Sequence, residues 1–237
     1  MNEHTHESET LSLQLARDVR DELVCVLKSL GGRHPSGALD NFIFYSANQM
    51  NKAAEAYLIL RDGQRIDASK LLVRPMIEIM IRTRAAVTKP RLFYRIILTE
   101  RLKRREWLKG AAKRKGASYD PSPEAADWAT FHEHCIDKIP DSDLTNKDLS
   151  VRAAAKELGL EAYYDSFYPL YCAYTHGAFE AVMGKLDPIS DAYDNDTVAL
   201  SVFSMIEVLV SIGGESPRFK SLHERMQNRR GGPKGDS

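Results

Sequence analysis

The sequence has few cysteines, no long apolar run, no net charge and none of the common catalytic signatures. Each absence removes a class of protein. The cysteines are Cys25, Cys135 and Cys172, an odd count with no Cys-x-x-Cys pair. That argues against a disulfide framework and against a zinc ribbon, and each thiol reads as a small buried hydrophobe. Apolar runs last only a few residues, far short of the ~20 that a helix needs to span a bilayer. The opening Met1-Asn-Glu-His-Thr-His-Glu is polar and has no apolar stretch, so no secretory leader is expected. No membrane association is expected either, and the expected compartment is the cytoplasm. Lys plus Arg and Asp plus Glu are 33 each, so a globally basic nucleic-acid binder is not indicated, and only a local patch remains open. GxGxxG, GxxxxGK[ST], GxSxG and HExxH are all missing, which removes support for the common nucleotide, hydrolase and zincin readings.

What is present is helical periodicity. Strict two-residue alternation is hard to find, so no sheet is expected. Leu11, Leu15, Val19, Leu23, Val26 and Leu30 recur at helical spacing and predict a helix over 9–30, ended by Gly31-Gly32. Further helices are predicted over 39–61, 66–87 with Pro75 inside, and 90–115 with Pro90 in the first turn. Ser122-Pro123 opens another that stops before Pro140, and 141–148 reads as a polar loop. Then follow 149–158, an aromatic helix over 161–183 with Pro169 inside, and 195–212. The expected fold class is all-α: an irregular bundle of about seven to nine helices, two with interior proline kinks. One domain is expected over 1–215. A basic C-terminal helix and a disordered tail are expected over 216–237.

Four constellations could carry chemistry. Arg74, Glu78 and Arg82 are four residues apart and line one face of a helix that is apolar nearly all round. They suit either an Arg–Glu–Arg ladder that fixes bundle register or a polar pocket for an anion. On the aromatic helix, Tyr164, Tyr168, Tyr171 and Thr175 share a face, and Cys172, His176 and Glu180 form a second line. His176 near Glu180 suits a general base, two of that line with a residue from elsewhere suit a metal, and a buried hydrogen-bonded histidine is the plainer alternative. The adjacent His132-Glu-His-Cys135 cannot share an ion and reads as a solvated helix face.

The run from Arg91 to Lys115 holds ten cations, among them Arg101, Arg104, Arg105 and Lys109, against Glu100 and Glu106. With Phe93, Tyr94 and Trp107 interleaved, such a helix can track a phosphate backbone. It can also simply cover apolar surface with its long stems.

Two stretches are similar to known sequences. Leu71-Leu-Val-Arg-Pro-Met-Ile-Glu78 resembles a Leu-x-Arg-x-x-x-Glu helix. Gly159-Leu-Glu-Ala-Tyr-Tyr-Asp-Ser-Phe-Tyr-Pro-Leu-Tyr-Cys-Ala-Tyr-Thr-His176 resembles a stretch with tyrosines, a serine and a histidine at four-residue spacing. Both occur in a group of bacterial helical proteins classed only as domains of unknown function, and the resemblance covers about 40–185. It implies an α-helical fold and a shared cluster of Arg74, Glu78, Tyr164, Tyr168 and His176, with Cys172 where a Ser is usual. Some relatives look like companions of mobile-element or phage-defence genes. Separately, Arg218-Phe-Lys-Ser-Leu-His223 is similar to the loose Arg-x(4–6)-His spacing of HEPN-type helical ribonucleases, with Phe219 where those commonly have a polar residue.

The expected site is therefore Arg74, Glu78, Tyr168 and His176. His176 is the candidate general base and Arg74 the candidate phosphate anchor of a nuclease-like reaction. No cofactor and no metal are expected. The alternative is a non-catalytic interaction protein that meets RNA or a protein partner through 91–115. A homodimer is compatible with either.

Overall fold

The structure, a computed structural model, describes residues 3–32, 37–120, 150–175 and 191–230. Eight α-helices and no strand occur among them. They are α1 (Glu3–Ser29), α2 (Ala38–Asp62), α3 (Ile66–Thr88), α4 (Pro90–Arg114), α5 (Val151–Glu157), α6 (Glu161–Thr175), α7 (Asp191–Ser211) and α8 (Phe219–Arg230). The helix expected before Pro140, the loop over 141–148, His132 to Cys135, His176, Glu180 and the tail beyond residue 230 lie outside the described residues.

Within the described residues the expected helices are present, and their ends differ for local reasons. Two begin earlier than apolar periodicity alone suggests, α1 at Glu3 and α7 at Asp191. Their opening turns carry acidic residues, which favour a helix N-terminus through the dipole without contributing core spacing. The end of α2 differs too. Gly63 keeps an ordinary φ of −78°, and the left-handed position is taken by Gln64 at φ 57°. The Arg65 N–H bonds the Leu60 carbonyl at 2.7 Å and the Gln64 N–H bonds Arg61 at 3.1 Å, the paired bonds of a Schellman end. Ser150 caps α5 by accepting the Ala153 N–H at 3.1 Å.

Two helices organise the bundle. α7 runs along α1 and also meets α2 and α3. It buries Val198, Val202, Met205, Ile206 and Leu209 on the apolar side and Asp194, Asn195, Ser201 and Ser204 among its polar residues. α3 is the second hub and packs against α2, α4, α5, α6 and α7. Val73, Met76, Ile77, Met80, Ile81, Ala85 and Ala86 are its buried apolar side chains. α3 therefore meets neighbours on nearly every side, which is why its sequence is apolar nearly all round.

The return from α7 to α8 is tight. Gly213 takes φ 93°, and a Cβ on Gly214 would stand 2.7 Å from Val26 Cγ1 and 2.9 Å from the Leu209 carbonyl. Only glycine lets the chain pass this close to α1. α8 then packs Leu222 and Met226 into the core and stacks Phe219 on Phe203. Buried Glu22 accepts the Ser216 hydroxyl at 2.6 Å and the Arg218 N–H at 3.0 Å. Arg218 pairs with Asp18, and His223 lies against the Phe203 and Phe219 rings. The two residues of the Arg-x(4–6)-His spacing are thus both engaged in docking α8.

Candidate functional site at the α3–α6 seam

α3 carries a charged residue at every fourth position: Lys70, Arg74, Glu78 and Arg82. Four-residue spacing keeps side chains on one face, and here that face turns toward α6 and α4. Lys70 lies by Tyr174, whereas Arg74 and Glu78 meet Tyr168. Rising numbers on α3 meet falling numbers on α6, so the two helices run antiparallel along the seam.

The outer half of the seam brings together three of the four expected catalytic residues. The Arg74 Nε–H is shared between Glu78 Oε1 at 3.1 Å and the Tyr168 hydroxyl at 3.2 Å. The Tyr168 hydroxyl donates to the same Glu78 oxygen at 2.5 Å. The Arg74 guanidinium also sits 5.2 Å from the centre of the Tyr168 ring, a cation–π distance. Tyr164 stacks on Tyr168 at 4.4 Å. On the far side, Arg82 reaches Glu78 at 4.0 Å and bonds Glu100 of α4 at 2.6 Å. Burial, together with the Glu78 hydrogen bond, pushes the Tyr168 hydroxyl far above the ordinary tyrosine range. Tyr168 therefore stays a neutral donor at any physiological pH. Arg74 and Glu78 side chains keep 20% and 24% of their surface, so both are partly reached by solvent.

Both helices carry a proline at this level. Arg74 immediately precedes Pro75 and Tyr168 immediately precedes Pro169. Each proline removes the donor that the carbonyl four residues earlier, on Leu71 or Asp165, would otherwise use. It also restricts the backbone of the residue before it. The two residues that meet across the seam thus both sit where the helix ladder lacks one bond. His176, the fourth expected residue, follows the last residue of α6 and lies outside the described residues.

The inner half of the seam was not anticipated. Tyr171 donates to Asp194 Oδ1 at 2.7 Å, and Lys70 Nζ stands 3.6 Å from Asp194 Oδ2. The Lys70 ammonium also lies 5.3 Å from the Tyr174 ring centre. Beside it, Tyr57 donates to Asn195 Oδ1 at 2.8 Å, and Asn195 Nδ2 donates to the Ser12 hydroxyl at 3.1 Å. Lys70, Asp194, Tyr171, Asn195, Tyr57 and Ser12 are all buried. Burial, with the Asp194 charge beside it, drives the Tyr171 hydroxyl far up from its ordinary pKa. Lys70 had a signal in the sequence, since it continues the four-residue spacing of Arg74 and Glu78 by one turn. Asp194 and Asn195 had none, because acidic and amide residues near a helix start are ordinary there.

The residues expected to meet nucleic acid divide along α4. Its first half buries Leu92, Phe93, Tyr94 and Ile96. Arg104 and Lys109 are exposed in the second half, Arg105 is half-buried, and Arg101 is on the helix with its side chain outside the described residues. Lys109 pairs with Glu106 at 2.9 Å.

A known family spans this seam. The chain belongs to a family of unknown function, DUF5677, whose model matches residues 40–193. The DUF5677 match takes in α2 to α6 and so holds Arg74, Glu78, Tyr168, His176 and the whole of α4. It stops one residue before Asp194 and leaves out α1, which completes the core against α7. No curated protein and no solved structure matches the chain. Among the described residues no group of three metal-ligating side chains gathers, and no helix is long and apolar enough to cross a membrane.

Proposed function

We propose that the outer α3–α6 seam is a phosphate-handling site of nuclease type. The observation that supports it is the triangle of Arg74 Nε, Glu78 Oε1 and Tyr168 Oη, mutually within 3.2 Å, built from two helices and partly exposed at Arg74 and Glu78. Arg74 supplies the planar cation that suits a phosphodiester. Tyr168, whose one hydroxyl proton goes to Glu78, holds the guanidinium in place through its oxygen and its ring. Glu78 orients both. His176 is the base in this reading. It takes a proton from the attacking water as the new P–O bond forms, and the bond to the leaving oxygen breaks as that oxygen takes up a proton from solvent. A defence or mobile-element setting fits such an activity, on the strength of the resemblance alone.

The test is cleavage of labelled RNA and DNA oligonucleotides by the purified chain. Arg74→Ala and His176→Ala are expected to lose about 100- to 1,000-fold in rate, the size of effect seen when one preorganised electrostatic or proton-transfer group is removed. Equal rates for wild type and both variants, in protein whose helical circular dichroism is unchanged, would sink the proposal.

A second reading is supported by the mutual satisfaction of the triangle, since Glu78 already accepts from both neighbours. In it the seam fixes helix register, the chain is a non-catalytic interaction protein, and basic α4 meets the partner. Under this reading Glu78→Ala and Arg74→Ala lower stability while no phosphodiester is ever cleaved.

A further inference from the structure

The second half of α4 leaves the core. From Lys103 to Arg114 no side chain is buried, in contrast to the apolar first half. Trp107 keeps 64% of its surface exposed, a large figure for the most costly apolar side chain to leave in water. Its neighbours on the same helix face, at three, four and seven residues, are Glu100, Lys103, Arg104, Gly110, Ala111 and Arg114, and Glu100 is bonded by Arg82 of α3 at 2.6 Å. Lys103, Arg104 and Arg114 are exposed, and none of these three meets a carboxylate among the described residues. Gly110 and Ala111 add no bulk next to the indole, and the Arg114 guanidinium lies across Gly110, 3.5 Å from where a Cβ would be. The face therefore presents one flat ring with cations before and after it, over about 16 Å of helix.

We propose that this face binds single-stranded nucleic acid, with a base stacked on Trp107 and phosphates held by Lys103, Arg104 and Arg114. The proposal rests on the interaction reading of α4 and names its partner. Charge complementarity selects a polyanion: between positions 103 and 115 the sequence holds Lys103, Arg104, Arg105, Lys109, Lys113, Arg114 and Lys115 against one acidic residue, Glu106. The lone exposed ring among cations selects a strand with unpaired bases, because stacking needs a free base face and phosphates on either side of it. A membrane surface is disfavoured, since a helix lying in a bilayer interface needs a broad apolar face, and here that face is a single indole. Lys109 and Arg105 fall outside this stripe, so the set differs from the one that charge alone suggests.

The test is fluorescence anisotropy of a labelled 12-mer oligouridylate with the full chain, over a range of salt concentrations, with a duplex of equal length alongside. Single-strand binding is expected, preferred over the duplex and weakening as salt rises. Trp107→Ala is expected to lose about 5- to 100-fold in affinity with the salt slope unchanged, and Trp107→Phe to recover part of that loss. Arg114→Gln is expected to weaken binding and flatten the salt slope by about 0.7. If Trp107→Ala binds as tightly as wild type while the charge variants weaken binding, the stacking proposal falls and α4 remains a general basic surface. The duplex binding as well as the single strand, or an acidic peptide displacing the oligonucleotide more strongly than free oligouridylate does, overturns it as well. If neither Trp107→Ala nor Lys103→Gln with Arg104→Gln and Arg114→Gln changes anything, or a folded chain binds no oligonucleotide at low salt, the interaction reading of α4 fails with it.

Discussion

Gln64 holds a left-handed backbone at φ 57° where glycine would be unstrained, while the glycine beside it sits at an ordinary angle. The strain of an L-residue there costs about 1–2 kcal/mol, part of which glycine returns as greater freedom in the unfolded chain. Gln64→Gly is therefore expected to stabilise the protein by about 0.5–1 kcal/mol, seen as a higher urea midpoint at constant m-value. The residues of the outer seam behave differently. Arg74 and Tyr168 both spend donors on one Glu78 oxygen, and both sit against a proline. That arrangement was legible in part from the sequence: the four-residue spacings on α3 and α6 and the two Arg-Pro and Tyr-Pro pairs are visible there. That one oxygen takes both donors is a matter of helix rotation, and spacing says nothing about it.

At the level of elements, the weakest joint to disturb is the return of α7 onto α1. Gly214→Ala places a methyl group 2.7 Å from Val26 Cγ1 and 2.9 Å from a backbone carbonyl, so α7 and α1 must separate. The expected cost is about 1–3 kcal/mol. Adding Val26→Ala should relieve only the side-chain share of the clash, so the double variant should recover part of the cost of the glycine change, measured by a thermal double-mutant cycle. α8 adds a pH-sensitive joint. Burial works against the Asp18 charge, but the bonds from Arg225, Gln14 and Arg218 outweigh it and hold the carboxyl below the usual aspartate value. A carboxyl whose folded pKa is lowered contributes stability above its unfolded pKa, and that contribution is lost as pH falls through the folded one. Docking of α8 on α1 should accordingly weaken below about pH 4, and Asp18→Asn should flatten this part of the pH–stability curve.

Across the whole molecule, the inner seam ties α3, α6 and α7 together through Lys70, Asp194 and Tyr171, and Asn195 extends it to α1 and α2 through Ser12 and Tyr57. A buried carboxylate without its cation is expensive, so Lys70→Met is expected to cost about 3–5 kcal/mol. Replacing Asp194 by Leu in the same chain should return most of that, because a pair of apolar side chains removes the uncompensated charge. Chemical denaturation of the single and double variants checks the sign. If the single variant is neutral, the pair does not carry the charge balance argued for it.

The all-helical class, the order of the helices and the basic run on α4 follow from local rules of apolar spacing, caps and breakers, and those rules act within a few residues along the chain. The Arg74, Glu78 and Tyr168 cluster lay partly within their reach, since each helix shows its own polar stripe. The Lys70–Asp194–Tyr171 network did not, because Lys70 and Asp194 are 124 positions apart in the numbering and nothing along either helix requires them to meet. The division of α4 into a packed half and a projecting half was also invisible, since Leu102, Leu108 and Ala111 suggest the same amphipathic pattern as the buried turns before them. Burial is a property of what lies opposite a helix face. Only the packing of α3 against its neighbours shows that the first half of α4 has a surface to cover and Trp107 does not.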